Sequence, residues 1–226
     1  MGNGIVKFIR FICECVLELI YAGDNKCIIC DKDTYNDSCI CDICSKKIKF
    51  CIESMSIVRD SMSIITYSAA YYSGIIKELI VGLKYKNDFK CGELLAQYME
   101  DVLKGANFHY DLIVYVPSSR TSLKKRGYNQ CRHLAKIIAR NQNKPVYNCL
   151  KKTMETKDQI GLDGASRWEN MIGVFKVVNK NIIKNKKILL IDDVITTGAT
   201  AFYCAKELTD CGAHEVRVLT AAKSKI

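Results

Sequence analysis

The sequence predicts an α/β protein, a parallel sheet flanked by helices, with a small cysteine-bearing module in front of it. Three observations predict this. Ile188 to Ile191 is an apolar run with no polar face, which suits a strand buried on both sides. Asp111 to Val116 (DLIVYV) is a second such run, stopped by Pro117, and the stretches between carry apolar residues at helical spacing. Ahead of them stand two Cys-x-x-Cys pairs, Cys27 with Cys30 and Cys41 with Cys44.

The composition bounds the architecture. At 226 residues, 49% hydrophobic and with only two prolines, the chain can bury one good core plus an appendage and is no disordered protein. A formal charge of +10 invites nucleic acid or an anionic ligand as partner. The excess of Lys over Arg, with abundant Asn and Ile, also reads as the product of an AT-biased genome. Thirteen cysteines without a convincing signal peptide fit a reducing cytoplasm better than a disulfide scaffold.

In chain order, Ile5 to Ala22 is apolar but interrupted by Lys7, Arg10, Glu14 and Glu18. It reads as an amphipathic helix (1–23) that packs on the body, a partner or a membrane surface, with no transmembrane span. In the next module (24–56), each Cys-x-x-Cys places two thiolates on one knuckle, and Cys27, Cys30, Cys41 and Cys44 together close a tetrahedral structural Zn(II) site. A redox role is the rival reading of each pair, and Cys39 and Cys51 are alternative ligands to Cys41. The main domain (57–226) opens with a strand of alternating character from Ile64. A helix follows from Gly74, with Leu79, Ile80 and Leu83 on one side and Lys77, Lys84 and Lys86 on the other. Cys91 to Leu103 is a second amphipathic helix.

After Pro117 comes a cationic loop, SSRTSLKKRG, and then Tyr128, Asn129 and Gln130 opening the next helix. Ligands of open parallel sheets gather outside the carboxyl ends of the strands, so this loop suits a polyphosphate. The polar stretch 156–171 reads as a lid or binding loop before a strand over Ile172–Val177. Gly212 is the expected cap of the last helix, and Glu215–Ala222 the last strand.

The most informative stretch is Ile188–Thr200, ILLIDDVITTGAT. Gly198 lets the backbone approach a ligand, Thr196, Thr197 and Thr200 offer hydroxyls, and the free amides at the start of the helix that follows favour an anion. Asp192 and Asp193, acceptors only when ionised, suit a vicinal diol or a hydrated cation. Phosphate on one side and diol on the other describe a ribose 5-phosphate. Neighbouring strand residues face opposite ways, so both acids serve the sugar only if the strand has ended by Asp192. No Walker or Gly-x-Gly-x-x-Gly pattern is present, which disfavours those nucleotide folds.

The whole of this stretch resembles the PRPP-binding fingerprint of type I phosphoribosyltransferases. Joined with the cysteine pairs, the LKYK at 83–86, VPSSR, KRGYNQ, Gln159-x-Gly-Leu and Arg167-x-x-Asn170, it resembles the ComF family of competence-associated, zinc-finger-bearing phosphoribosyltransferase-like proteins. The resemblance implies that Asp192 and Asp193 meet the ribose hydroxyls and that Thr196, Thr197, Gly198, Ala199 and Thr200 enclose the 5-phosphate. It places Arg120 and Lys124 at the pyrophosphate, with Mg(II) between pyrophosphate and sugar. Lys84, Arg126, Asn129, Gln130, Gln159, Arg167 and Asn170 are substrate or lid candidates. Three functions remain open at this level: phosphoribosyl transfer to a nitrogen acceptor, non-catalytic PRPP sensing, and a competence adaptor for single-stranded DNA or a helicase.

Overall fold

The computed structural model describes residues 26–34, 38–154 and 168–224. The helix expected over 5–22 and the site residues Gln159 and Arg167 lie outside them. The chain divides into two units, one up to Lys47 and one from Ile48 onward.

In the first unit a tight turn follows Cys27, whose N–H bonds to Lys32 O at 2.8 Å while its carbonyl accepts from Asp31 N–H at 2.9 Å. The short helix α1 (Asp42–Ser45) starts directly after Cys41, and Ser45 N–H closes its first turn on the Cys41 carbonyl at 2.9 Å.

The second unit is built on a six-stranded sheet in the order β1-β2-β8-β7-β3-β4. The strands are β1 (Met55–Arg59), β2 (Met62–Tyr71), β3 (Leu112–Tyr115), β4 (Val146–Tyr147), β7 (Lys187–Ile195) and β8 (Glu215–Lys223). All neighbours pair in parallel except β1 with β2. That hairpin turns on Asp60 and Ser61, both at positive φ (48° and 62°), which gives the twist a two-residue hairpin needs. Residues 48–58, assigned from sequence mostly to the cysteine module, are thus tied to the sheet, by β1 and by a bridge from Phe50 to Ala70.

The connections fix the layers. The path β2 to β3 runs through α2 (Gly74–Tyr85) and α3 (Phe89–Ala106), and β3 to β4 runs through α4 (Arg120–Arg126) and α5 (Gln130–Asn141). Both cross the sheet in one sense, whereas β7 to β8, through α7 (Ala199–Asp210), crosses in the other. Right-handed crossovers therefore place α7 on the face opposite α2, α3 and α5. The strands between these layers are apolar on both sides, with Ile188 to Ile191 and Ile113 to Val114 fully buried.

Two sequence expectations change. The stretch after Pro117 is not all loop: Ser119 Oγ accepts from Ser122 N–H at 3.0 Å and Gly127 closes the end at φ 79°, so the cationic residues between them form α4. The strand expected over Ile172–Val177 is only β6 (Phe175–Val177), because Met171 and Ile172 spend their N–H groups on a turn over Trp168 and Glu169. It pairs antiparallel with β5 (Leu150–Lys152) in a separate two-stranded ribbon. A four-residue helix α6 (Lys180–Ile183) precedes β7.

Candidate functional site

The sheet reverses its winding between β7 and β3, and a crevice opens outside the carboxyl ends of strands at such a switch point. β3 stops where Tyr115 pairs with Ile191, and Val116 N–H makes one further bond to the Ile191 carbonyl at 3.0 Å. Beyond it the chains part. The cleft between them holds about 360 Å³ and is bordered by Pro117, Ser118, Ser122 and Arg126 on one side and by Asp192, Asp193, Thr196 and Thr200 on the other.

The strand does not end at Asp192. β7 continues beside β8 to Ile195, paired through Val194 with Ala222, and its alternation would send the two acids to opposite faces. They converge nonetheless, with a carboxylate oxygen of each and Cys131 Sγ all within 4.8 Å of one another. Past Ile191 the strand has lost β3 on one flank, which leaves room for both side chains to reach the crevice. Asp193 Oδ2 accepts from Lys84 Nζ and from Gln130 Nε2, each at 2.7 Å, and Arg126 donates to Gln130 Oε1 at 2.9 Å. Asp192 Oδ1 accepts from Asp193 N–H at 2.9 Å and from the Cys131 thiol at 3.3 Å.

Burial sets the charge states. It pushes Asp192 up to about 7, with the Asp193 charge adding to the effect. Burial also works against the Lys84 charge, but Asp193 beside it more than reverses this and the lysine stays above its ordinary pKa. The Cys131 thiol, buried and facing both acids, is held well above the usual thiol range and so remains a donor.

At the turn into α7, Gly198 sits at φ 84°, and a Cβ there would stand 2.6 Å from Ile57 Cδ1. Positive φ and this close approach both favour glycine here. Helix α7 starts with no side-chain cap at its N-cap residue, and the nearest substitute is a long 3.5 Å contact from Ala199 N–H to Thr197 Oγ1. A small hollow of about 30 Å³ is lined by residues from Asp192 to Ala201, including Thr197, Gly198 and Ala199. Open amides and hydroxyls around a hollow are the chemistry of an anion cradle.

The remaining predicted residues divide. Lys84, Arg126 and Gln130 border the cleft. Asn129 is structural: it caps α5 by accepting from Arg132 N–H and ties its amide to the Val116 carbonyl, both at 3.0 Å. Arg120 lines a different cavity, behind the loop, while Lys124 and Asn170 border neither of these cavities. Sequence reasoning passed over Tyr72, Ser122 and Cys131. The position of Cys131 directly after Gln130, at the start of an amphipathic helix, was the available signal for that residue.

In the first unit, Cys27, Cys30, Cys41 and Cys44 bring their sulfurs within 4.8 Å of one another. The Cys30 and Cys41 sulfurs are 3.7 Å apart, close to the edge of about 3.8 Å that a tetrahedron with Zn–S bonds of about 2.3 Å requires. The donor set fits zinc. Cys39 does not join the cluster, and Cys51 belongs to the second unit. In the cleft the two carboxylates supply hard oxygen donors of the kind magnesium takes.

No protein-family model matches the chain. Among solved structures it overlaps adenine phosphoribosyltransferase from Thermoanaerobacter pseudethanolicus at 14% identity and a TM-score of 0.41, over 62% of this chain and 84% of that one. It overlaps the glutamine PRPP amidotransferase of B. subtilis at 23% identity and a TM-score of 0.37, over 57% of this chain and 25% of that one. Among curated relatives it is 24% identical to Competence protein ComFC of Bacillus subtilis, over 93% of this chain and 92% of the relative. It is 26% identical to Competence protein ComFC of Streptococcus pneumoniae, over 92% and 84%. To Competence protein F of Haemophilus influenzae it is 30% identical over 161 residues, 68% of this chain and 70% of that protein. With that identity extending over more than two thirds of the Haemophilus protein, the chain belongs to the ComF family of competence proteins.

Proposed function

We propose that the cleft binds PRPP with Mg(II), and that the protein is a phosphoribosyltransferase-like component of DNA uptake acting in the cytoplasm. One observation carries the reading: two buried carboxylates and Thr200 of the first turn of α7 border one crevice, and the hollow at the uncapped start of that helix adjoins Asp192. Asp192 and Asp193 accept from the ribose hydroxyls. Thr196, Thr197 and Thr200, with the amides from Gly198 onward, take the 5-phosphate. Ser118, Ser122 and Arg126 face the pyrophosphate, in place of Arg120 and Lys124. Bound magnesium supplies neutralising charge to the pyrophosphate and sugar oxygens.

In turnover, a nitrogen atom of an acceptor forms its bond to the anomeric carbon as the bond to pyrophosphate breaks. The leaving group takes the electron pair, and the nitrogen gives its proton to water. The protein contributes position and charge stabilisation, with no covalent intermediate on a side chain. The four cysteines of the first unit hold a structural zinc.

Calorimetry with PRPP and Mg(II) tests the reading. The wild type is expected to bind and the Asp192→Asn, Asp193→Asn double variant to lose binding; a wild type with no affinity for PRPP would overturn it. The charge of +10, together with the competence roles of the relatives, favours one second reading, an adaptor for single-stranded DNA or a helicase. Its affinity for DNA would fall steeply with salt.

A further inference from the structure

Behind the loop that borders the cleft lies a second cavity, of about 600 Å³, which the reading above does not use. The two share Pro117 and Ser118, so a single stretch of backbone separates them. The cavity is lined by aromatic rings and cationic side chains, and no Asp or Glu lines it.

The aromatic part is Phe89, Tyr128 and Tyr115. Phe89 packs edge-on against Tyr128 with ring centroids 5.3 Å apart, yet it remains 47% exposed. The cationic part is Arg132 and Lys136 on α5 and Lys151 on β5, all exposed. Among the described residues none of these three has a carboxylate partner, unlike Lys84, Lys104, Lys176 and Lys206 elsewhere. Like charges gathered without counterions repel one another, which an anionic ligand would relieve. His133 adds no charge, since burial lowers its pKa below the usual histidine value.

We infer that this cavity binds a nucleoside phosphate, with the base against Phe89 and Tyr128 and the phosphates among Arg132, Lys136 and Lys151. The volume falls in the range of small-ligand sites. A flat π-system stacks on rings, and guanidinium and ammonium groups bind phosphate oxygens, so this lining matches both halves of a nucleotide. A free phosphate would use only the cations, and an apolar ligand only the rings. The inference stands whether or not the cleft on the other side of the loop holds PRPP.

The test is calorimetry on the full chain with ATP and AMP, run beside inorganic phosphate and a short oligothymidylate. At least one of the two nucleotides is expected to bind more tightly than inorganic phosphate. Arg132→Glu with Lys151→Glu, two exposed positions, should weaken that binding by roughly tenfold or more. Phe89→Leu should weaken it as well, with Phe89→Trp restoring it, a distinction that charge alone would not produce. Excess PRPP with Mg(II) should leave the nucleotide bound. Displacement by PRPP would put the nucleotide in the cleft and overturn the inference. So would inorganic phosphate binding as well as ATP and AMP, oligothymidylate binding where neither nucleotide does, or an unchanged affinity in the charge-reversed variant.

Discussion

Lys84 Nζ lies 2.7 Å from Asp193 Oδ2, and Gln130 Nε2 reaches the same oxygen at the same distance. Two donors on one oxygen pin the carboxylate. Among the described residues no hydrogen bond is seen at its other oxygen.

Lys84→Met therefore removes a positioning charge and leaves a buried carboxylate with Gln130 alone. Loss of one partner of such a pair costs roughly 3 kcal/mol, which urea unfolding at neutral pH should register. PRPP affinity is expected to fall about tenfold or more, and Lys84→Arg to recover part of it. Wild-type affinity in the Met variant would show that the lysine serves the fold alone.

Asp192 gives the site a pH dependence with a definite sign. Its folded pKa of about 7 stands above the ordinary value of 3.8, so between those values the native chain holds a proton that the unfolded chain has lost. Stability then declines as pH rises through that window and levels off above it. Asp192→Asn should flatten the slope and stabilise the protein near pH 8 by an amount on the order of 1–3 kcal/mol, read as a higher melting temperature at that pH. Binding of PRPP with magnesium runs the other way, strengthening from about pH 6 to about pH 8 as the carboxylate ionises.

Gly198→Ala should cost about 1–3 kcal/mol and lower PRPP affinity. Two causes act together, positive φ and the approach of Ile57 Cδ1. Ile57→Ala would relieve the contact but not the backbone, so a double-mutant cycle of thermal melts should show Gly198→Ala costing less, though still something, in the Ile57→Ala background. Full rescue would assign the whole cost to the contact.

The four-cysteine cluster should carry a single zinc per chain by elemental analysis. Cys44→Ser is expected to abolish tight retention, and a strong chelator to remove the metal with loss of the first unit's fold. Metal-free protein with unchanged amide protection over 26–34 and 38–47 would contradict this.

Much of the fold was legible because burial on both faces leaves a plain trace. Ile188–Ile191 and Asp111–Val116 read as buried strands, and the strands Lys187–Ile195 and Leu112–Tyr115 lie there. The four zinc-type cysteines were legible for a similar reason, since spacing constrains knuckles tightly. Short, context-held elements were harder. β1 owes its existence to pairing with β2, and α4 to caps at Ser119 and Gly127 around a run of cations that resembles any solvated loop. The same ambiguity blurs the cations: Arg120 and Arg126 look alike in sequence, but six residues apart on a short helix one lines the rear cavity and the other the cleft that holds the acids. The reach of Asp192 and Asp193 into one crevice depends on where β3 stops, a relation between distant segments that no local pattern records.

Since the Val116 amide is anchored on the Ile191 carbonyl, the two loops that border the cleft spring from one welded root and diverge only beyond it. Side chains further out can be exchanged without disturbing the seam beneath. A lineage could thus reshape the crevice by editing loop tips over an unchanged foundation.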